Sequence, residues 1–131
     1  MKPLVLIGIG ETAQLAYEYF TYDSNYTVIA FAVDDEYLPK DQEHFLNLPI
    51  VPLSDLKYTH KPTDVDLFVA VSSGKLNRSR SELYTRFKKL DYSFASYIST
   101  KCFVWRNVTI GENCFVLENN TLQPFVSIGN N

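Results

Sequence analysis

The sequence predicts a small, doubly wound α/β sheet domain followed by the truncated start of a parallel β-solenoid. Two patterns carry this. Before residue 95, continuous apolar runs alternate with amphipathic stretches, as buried parallel strands alternate with helices. From Ile98 an aliphatic residue recurs every six positions, at Ile98, Val104, Ile110, Val116, Leu122 and Ile128. A period of six suits neither a helix nor a half-buried strand, but it suits hexapeptide coils whose aliphatic residue points into a narrow core.

"PLVLIGIG" reads as a first strand buried on both faces and ending in glycines. "ETAQLAYEYFTY" follows with helical spacings at Ala13, Ala16 and Phe20, and at Leu15, Tyr19 and Tyr22. "YTVIAFAVDD" is a second buried strand closing on acids, and "EYLPKDQEHFLNLP" an irregular acidic excursion. "IVPLSDL" predicts a short strand and a helix start capped by Ser54. "DVDLFVAVSSG" is another buried strand, and "KLNRSRSELYTRFKKLD" a basic helix with Leu76, Leu83, Tyr84, Phe87 and Leu90 on one face. "YSFASYIS" is a final strand leading into the repeats.

Within the repeats, Cys102, Val108, Cys114, Asn120 and Val126 stand four places after the first five aliphatic positions, where small side chains fit the corners. Gly111 and Gly129 lie eighteen residues apart, so they stack if three repeats close one coil. Residues 98–131 amount to less than two coils, whereas stacked repeats normally need about three and a polar cap. The expectation is therefore the front part of something longer, with domains at 1–95 and 96–131.

The chain has 131 residues, 46% of them hydrophobic, enough for one core and a small appendage. A net charge of −3 argues against a nucleic-acid partner. No stretch approaches the ~20 apolar residues of a membrane span. Cys102 and Cys114 fall on different solenoid faces and read as buried free thiols, which points to a reducing, cytoplasmic setting. His44 and His60 sit in polar, loop-like stretches, with no spacing that completes a metal site, and read as surface residues.

Ligands of open parallel sheets bind beyond the carboxyl ends of the strands, and three polar clusters fall there. Gly8-Ile9-Gly10-Glu11-Thr12-Ala13 is a G-x-G-x-x-A turn, suited to close backbone approach and to phosphate at a helix N-terminus. Asp34 and Asp35 can accept hydrogen bonds from a ribose or base. Gly74 and Lys75, with Asn77 and Arg78 on the next helical turn, open a segment in which residues 75–89 carry six Lys/Arg against one Glu. That charge suits a diphosphate. "SGK" is not a Walker A motif, because Val69 stands where its first glycine belongs.

A small nucleotide-type domain running directly into hexapeptide repeats resembles the bacterial sugar O-acyltransferases of the sialic-acid O-acetyltransferase family, within the left-handed β-helix acyltransferases. "GIGETAQLAYEYF", "FAVDDEY", "VAVSSGKLNRSRSELYTRF", "ASYIST" and "IGENCFVLENNTLQPFVSIGNN" carry the resemblance. It implies a Rossmann-like domain followed by a left-handed parallel β-helix. It implies a nucleotide-activated sugar held by Gly8, Gly10, Glu11 and Thr12 at the turn, by Asp34 and Asp35 at the base or ribose, and by Gly74, Lys75, Asn77 and Arg78 near the phosphates. It further implies acetyl-CoA as co-substrate, O- or N-acetylation in surface-glycan biosynthesis, and a homotrimer for the full-length parent rather than for this chain. The family's general-base histidine lies in later coils, and neither His44 nor His60 matches it, so this polypeptide is expected not to transfer acetyl groups by itself. Two other readings remain from the residues: an NAD-type dinucleotide-binding fragment using Gly8–Ala13 and Asp34, and a non-enzymatic oligomerisation module.

Overall fold

The computed structural model describes residues 1–71, 77–100, 103–104, 109–116, 121–122 and 127–128. A six-stranded sheet is built from β1 (Lys2–Ile7), β2 (Tyr26–Val33), β3 (His44–Phe45), β4 (Leu48–Pro52), β5 (Asp66–Val69) and β6 (Ser93–Phe94). Its order is β3-β4-β2-β1-β5-β6, and every neighbouring pair is parallel except β3–β4. The chain begins mid-sheet, winds outward through β2 and β4, then returns to the other side of β1 for β5 and β6. The winding reverses between β1 and β5. In such sheets the crevice for a ligand opens at that reversal.

β1 is central because Leu4, Val5, Leu6 and Ile7 are all buried, two on each face. Leu4 and Leu6 pack with Phe31 and Phe68 under α1 (Glu11–Tyr22), which contributes Ala13, Ala16 and Phe20. Two alanines in that face let the helix lie close to the sheet. Val5 and Ile7 pack with Ala30, Ala32, Leu67 and Val69 on the opposite face, closed by Phe87 of α3 (Asn77–Lys88) and by Tyr92.

Several local expectations are corrected. Leu15 and Tyr22 are exposed, and of the second α1 stripe only Tyr19 turns inward, its ring 5.0 Å from that of Tyr97. One stripe of a single helix already fills the groove over Leu4 and Leu6, so the flanking stripe stays at the edge. Leu90 lies beyond the end of α3 and is exposed, because Asp91 reverses the chain at φ 69° and Tyr92 enters the core instead. Leu76 is outside the described residues. Ser54 caps no helix. It sits in a 3₁₀ turn, Leu53–Asp55, before the short α2 (Leu56–Thr59), and its hydroxyl donates to Asp35 Oδ2 at 2.7 Å. The acidic excursion contains a 3₁₀ turn at Asp35–Tyr37 and the tight β3–β4 hairpin. Leu46 and Asn47 form that hairpin's two-residue loop, both at positive φ as a primed turn requires.

The expected strand "YSFASYIS" is two strands. β6 stays in the sheet, and β7 (Tyr97–Ile98) leaves it to pair with β10 (Phe115–Val116). β8 (Phe103–Val104) pairs with β11 (Thr121–Leu122), and β9 (Thr109–Ile110) with β12 (Ser127–Ile128). All three pairs are parallel, and each joins residues eighteen apart, Ile98 to Val116, Val104 to Leu122 and Ile110 to Ile128. Cys114 is buried, whereas Cys102 and Gly129 lie outside the described residues. Among the described residues, no helix is long and apolar enough to cross a membrane.

Candidate functional site

The site is organised by the end of β1. Gly8 donates its N–H to Ala32 O at 2.8 Å, and Ala70 donates to Ile7 O at 2.8 Å, so the strand ends of β2, β1 and β5 are level. Gly8 adopts φ 128°, and a Cβ on it would stand 2.5 Å from the Ala70 carbonyl oxygen. Only glycine fits there. Gly10 is different. It caps α1 with no side-chain hydrogen bond, and a Cβ on it would meet nothing within 4 Å. The first glycine brings two strands together; the second leaves room over the helix N-terminus, where the first-turn N–H groups have no partners within the helix.

Two clefts meet over this turn. One, about 340 Å³, is lined by Gly8, Ile9, Gly10, Glu11, Thr12, Ala70 and Val71. The other, about 350 Å³, is more apolar and shares Gly8, Ile9 and Val71 with the first; Val33, Asp34, Tyr37, Leu53 and Leu83 complete it. Side by side they form a trough across the sheet's reversal point, backbone-rich at one end and apolar at the other, with a carboxylate in its wall.

The paired aspartates divide. Asp34 lines the apolar cleft, and Arg86 Nη1 stands 3.9 Å from its Oδ1. Asp35 turns away: its carboxylate accepts from the hydroxyl of Ser54 at 2.7 Å, tying the 35–37 turn to the turn after β4. Gly74 and Lys75 lie outside the described residues. Asn77 and Arg78 begin α3, and their side chains also lie outside the described residues. Sequence reasoning missed Tyr37, 68% exposed at the cleft, and the Ala70–Val71 wall. A signal existed for both, since Tyr37 follows Asp34 by three residues and Ala70–Val71 directly follow the strand next to the reversal.

His44 is exposed on the hairpin, away from both clefts. His60 is only half-buried rather than fully at the surface; burial lowers its pKa, and Nδ1 lies 2.9 Å from Thr59 Oγ1. Neither histidine lines the trough. Among the described residues, no group of three or more His, Cys, Asp or Glu is placed to hold a metal ion.

No protein-family model matches the sequence, and no curated protein matches it. Solved structures do. A mutant of perosamine N-acetyltransferase from Caulobacter crescentus, in complex with CoA and GDP-perosamine, superimposes with a TM-score of 0.80 at 23% identity, over 99% of this chain and 58% of that one. The acetyltransferase domain of PglB from Neisseria gonorrhoeae gives 0.77 at 19% identity, over 99% of this chain and 60% of that one. The same domain in complex with acetyl coenzyme A gives 0.78 at 19% identity, over 98% and 59%. This chain thus spans about three-fifths of the length of these structures. At such identities the likeness is one of fold, and the chain has the fold of these acetyltransferases.

Proposed function

We propose that this chain is the nucleotide-sugar-binding portion of an acetyl-CoA-dependent sugar acetyltransferase of the sialic-acid O-acetyltransferase family, cytoplasmic, with homotrimeric assembly belonging to the full-length parent. Residues 1–95 act as the nucleotide-sugar-binding domain. Residues 96–131 begin a left-handed parallel β-helix, a reading supported by the three parallel strand pairs in eighteen-residue register. The observation that carries the proposal is the open space at Gly10 over the N-terminus of α1, at the sheet's reversal point. A diphosphate there meets free N–H groups and the positive end of the helix dipole.

The base and ribose then extend into the adjoining apolar cleft, against Tyr37, with Asp34 accepting from ribose hydroxyls or base N–H groups. Asp35 holds the turn that carries Tyr37. Ahead of and on the first turn of α3, this reading assigns Lys75 and Arg78 as the charges for the phosphates, with Gly74 and Asn77 as neutral donors beside them. The solved relatives bind CoA, GDP-perosamine or acetyl coenzyme A, and acetyl-CoA is the co-substrate this reading assigns to the parent enzyme. The only two histidines stand away from the trough, so the reading assigns this chain binding without acetyl transfer.

The test is calorimetric titration of the chain with UDP-, dTDP- and GDP-sugars, NAD and acetyl-CoA. The expected outcome is a nucleotide sugar bound, with binding abolished by Gly10→Val and weakened about tenfold by Asp34→Ala, the loss of one or two charge-assisted hydrogen bonds. A Gly-x-Gly-x-x-Ala turn followed by Asp34 at the end of β2 also fits the ribose of a dinucleotide. Binding of NAD alone overturns the acetyltransferase reading in favour of that one. Binding of nothing in the panel, with self-association at rising concentration, leaves an oligomerisation module.

A further inference from the structure

β6 ends at Phe94, and Ala95 gives its N–H to Leu67 O at 2.8 Å before the chain turns away into β7. The next donor along that edge of β5 is the N–H of Val69. A continued β6 would have received it. Asn113 receives it instead: its side-chain Oδ1 accepts from Val69 N–H at 2.7 Å, and its own N–H donates to Ala95 O at 3.1 Å. One asparagine, from the turn between β9 and β10, therefore spans two positions that a longer strand would have joined directly. It is 1% exposed and sits at φ 54°, the left-handed region that asparagine tolerates better than most residues.

Val69 immediately precedes Ala70 and Val71, the wall of the cleft beside Gly10. Ala70 in turn donates to Ile7 O, and its carbonyl closes on Gly8. We infer that Asn113 is a positioning residue for the switch-point cleft: reaching in from the repeat segment, it holds the end of β5 and so sets the Ala70–Val71 wall against Gly8. This rests on the proposed reading of that cleft as the diphosphate site. The neighbouring side chain strengthens it. Glu112 accepts from Phe94 N–H at 2.9 Å and pairs with Lys88 Nζ at 2.6 Å, so the same turn also grips β6 and the end of α3. Ser96 holds this turn through bonds that do not involve β5, since its hydroxyl donates to Gly111 O and accepts from Cys114 N–H.

The experiment compares Asn113→Gly, Asn113→Asp and Ser96→Ala in the full chain. It reads residue-resolved amide exchange and calorimetric affinity for UDP, dTDP and GDP. Asn113→Gly keeps the left-handed backbone and removes the acceptor. It is expected to speed exchange at Val69 and Ala70 about tenfold more than at α1 and β2, and to weaken the diphosphate that binds by about tenfold. Asn113→Asp retains an acceptor and holds Val69 exchange within about threefold of wild type. Ser96→Ala lowers the melting temperature and speeds Val69 exchange no more than exchange at α1 and β2, with affinity unmoved. Wild-type exchange at Val69 in Asn113→Gly, or equal effects from Ser96→Ala, overturns the inference. If none of the three diphosphates binds the wild-type chain, the nucleotide reading falls, while the exchange comparison still decides what Asn113 does.

Discussion

Gly8 and Gly10 are two residues apart and do opposite work, which makes them separable by substitution. Alanine at Gly8 must take φ 128° and place its Cβ 2.5 Å from the Ala70 carbonyl, with backbone on both sides of the clash. The expected loss is about 3 kcal/mol, measured by denaturant unfolding. Alanine at Gly10 meets open space, so stability should stay within ~0.5 kcal/mol while nucleotide-sugar affinity falls. If both glycines prove equally costly to stability, the division drawn between them is wrong. Glu112 offers a second prediction at this scale. Burial raises its pKa, but Lys88, the Phe94 amide and the Tyr84 hydroxyl outweigh that and hold it below the ordinary 4.5. A carboxylate depressed in the folded state contributes stability that is complete above the unfolded value and is lost as pH falls through the folded one. Glu112→Gln should therefore cost about 1–2 kcal/mol near neutral pH, discounted for partial exposure, and the gap to wild type should close on acidification below about pH 4.5. A gap that widens in acid contradicts the ion-pair account.

Elements show which parts of this fold are visible in a linear sequence. Strands buried on both faces were legible because their apolar runs have no polar interruption, and β1, β2 and β5 fall where those runs do. The six-residue period located β7 to β12 because each aliphatic position ends one of those short strands. Leu15 and Leu90 were misplaced for a common reason: periodicity names a stripe, but only the partner surface decides which stripe is covered. Asp35 and Ser54 find each other nineteen residues apart, a pairing that the ligand role read for one and the cap read for the other did not foresee. Tertiary pairing of that kind leaves no local trace. Asp23 is another such case. At the end of α1 its carboxylate accepts from the Tyr97 hydroxyl at 2.5 Å and from Thr100 N–H and Oγ1 at 3.1 and 2.8 Å, binding the helix to the start of the repeats. Burial first, then this hydrogen bond, push Tyr97 up to about 12. Asp23→Ala should cost about 1–2 kcal/mol in urea unfolding, with α1 itself keeping its helical circular dichroism. A neutral result would mean that the α1 end does not anchor β7.

Across the whole molecule, the sheet and the repeats are joined by bonds that neither segment could satisfy alone. Asn113 spans Val69 and Ala95, Glu112 receives Phe94 N–H, and Asp23 receives Thr100 N–H. Opening the repeats would strand buried groups at the end of β5, and unfolding the sheet would remove the partners of the turn at 111–113. Buried polar groups left without partners cost about 1–3 kcal/mol each, so partial opening is disfavoured relative to complete unfolding. Calorimetry should accordingly record one transition for the full chain, with equal van't Hoff and calorimetric enthalpies. A ligand that binds only the folded state then stabilises all of it: at a hundredfold excess over Kd a nucleotide sugar adds ~2.7 kcal/mol, or about 10 °C for a chain of this size. The shift should appear in the single transition and vanish in Gly10→Val, whose own melting temperature without ligand stays close to wild type. Two transitions, with only the earlier or only the later one moved by ligand, would mean that the repeats and the sheet domain are independent bodies, and that the contacts through Asn113 and Glu112 are too weak to link them.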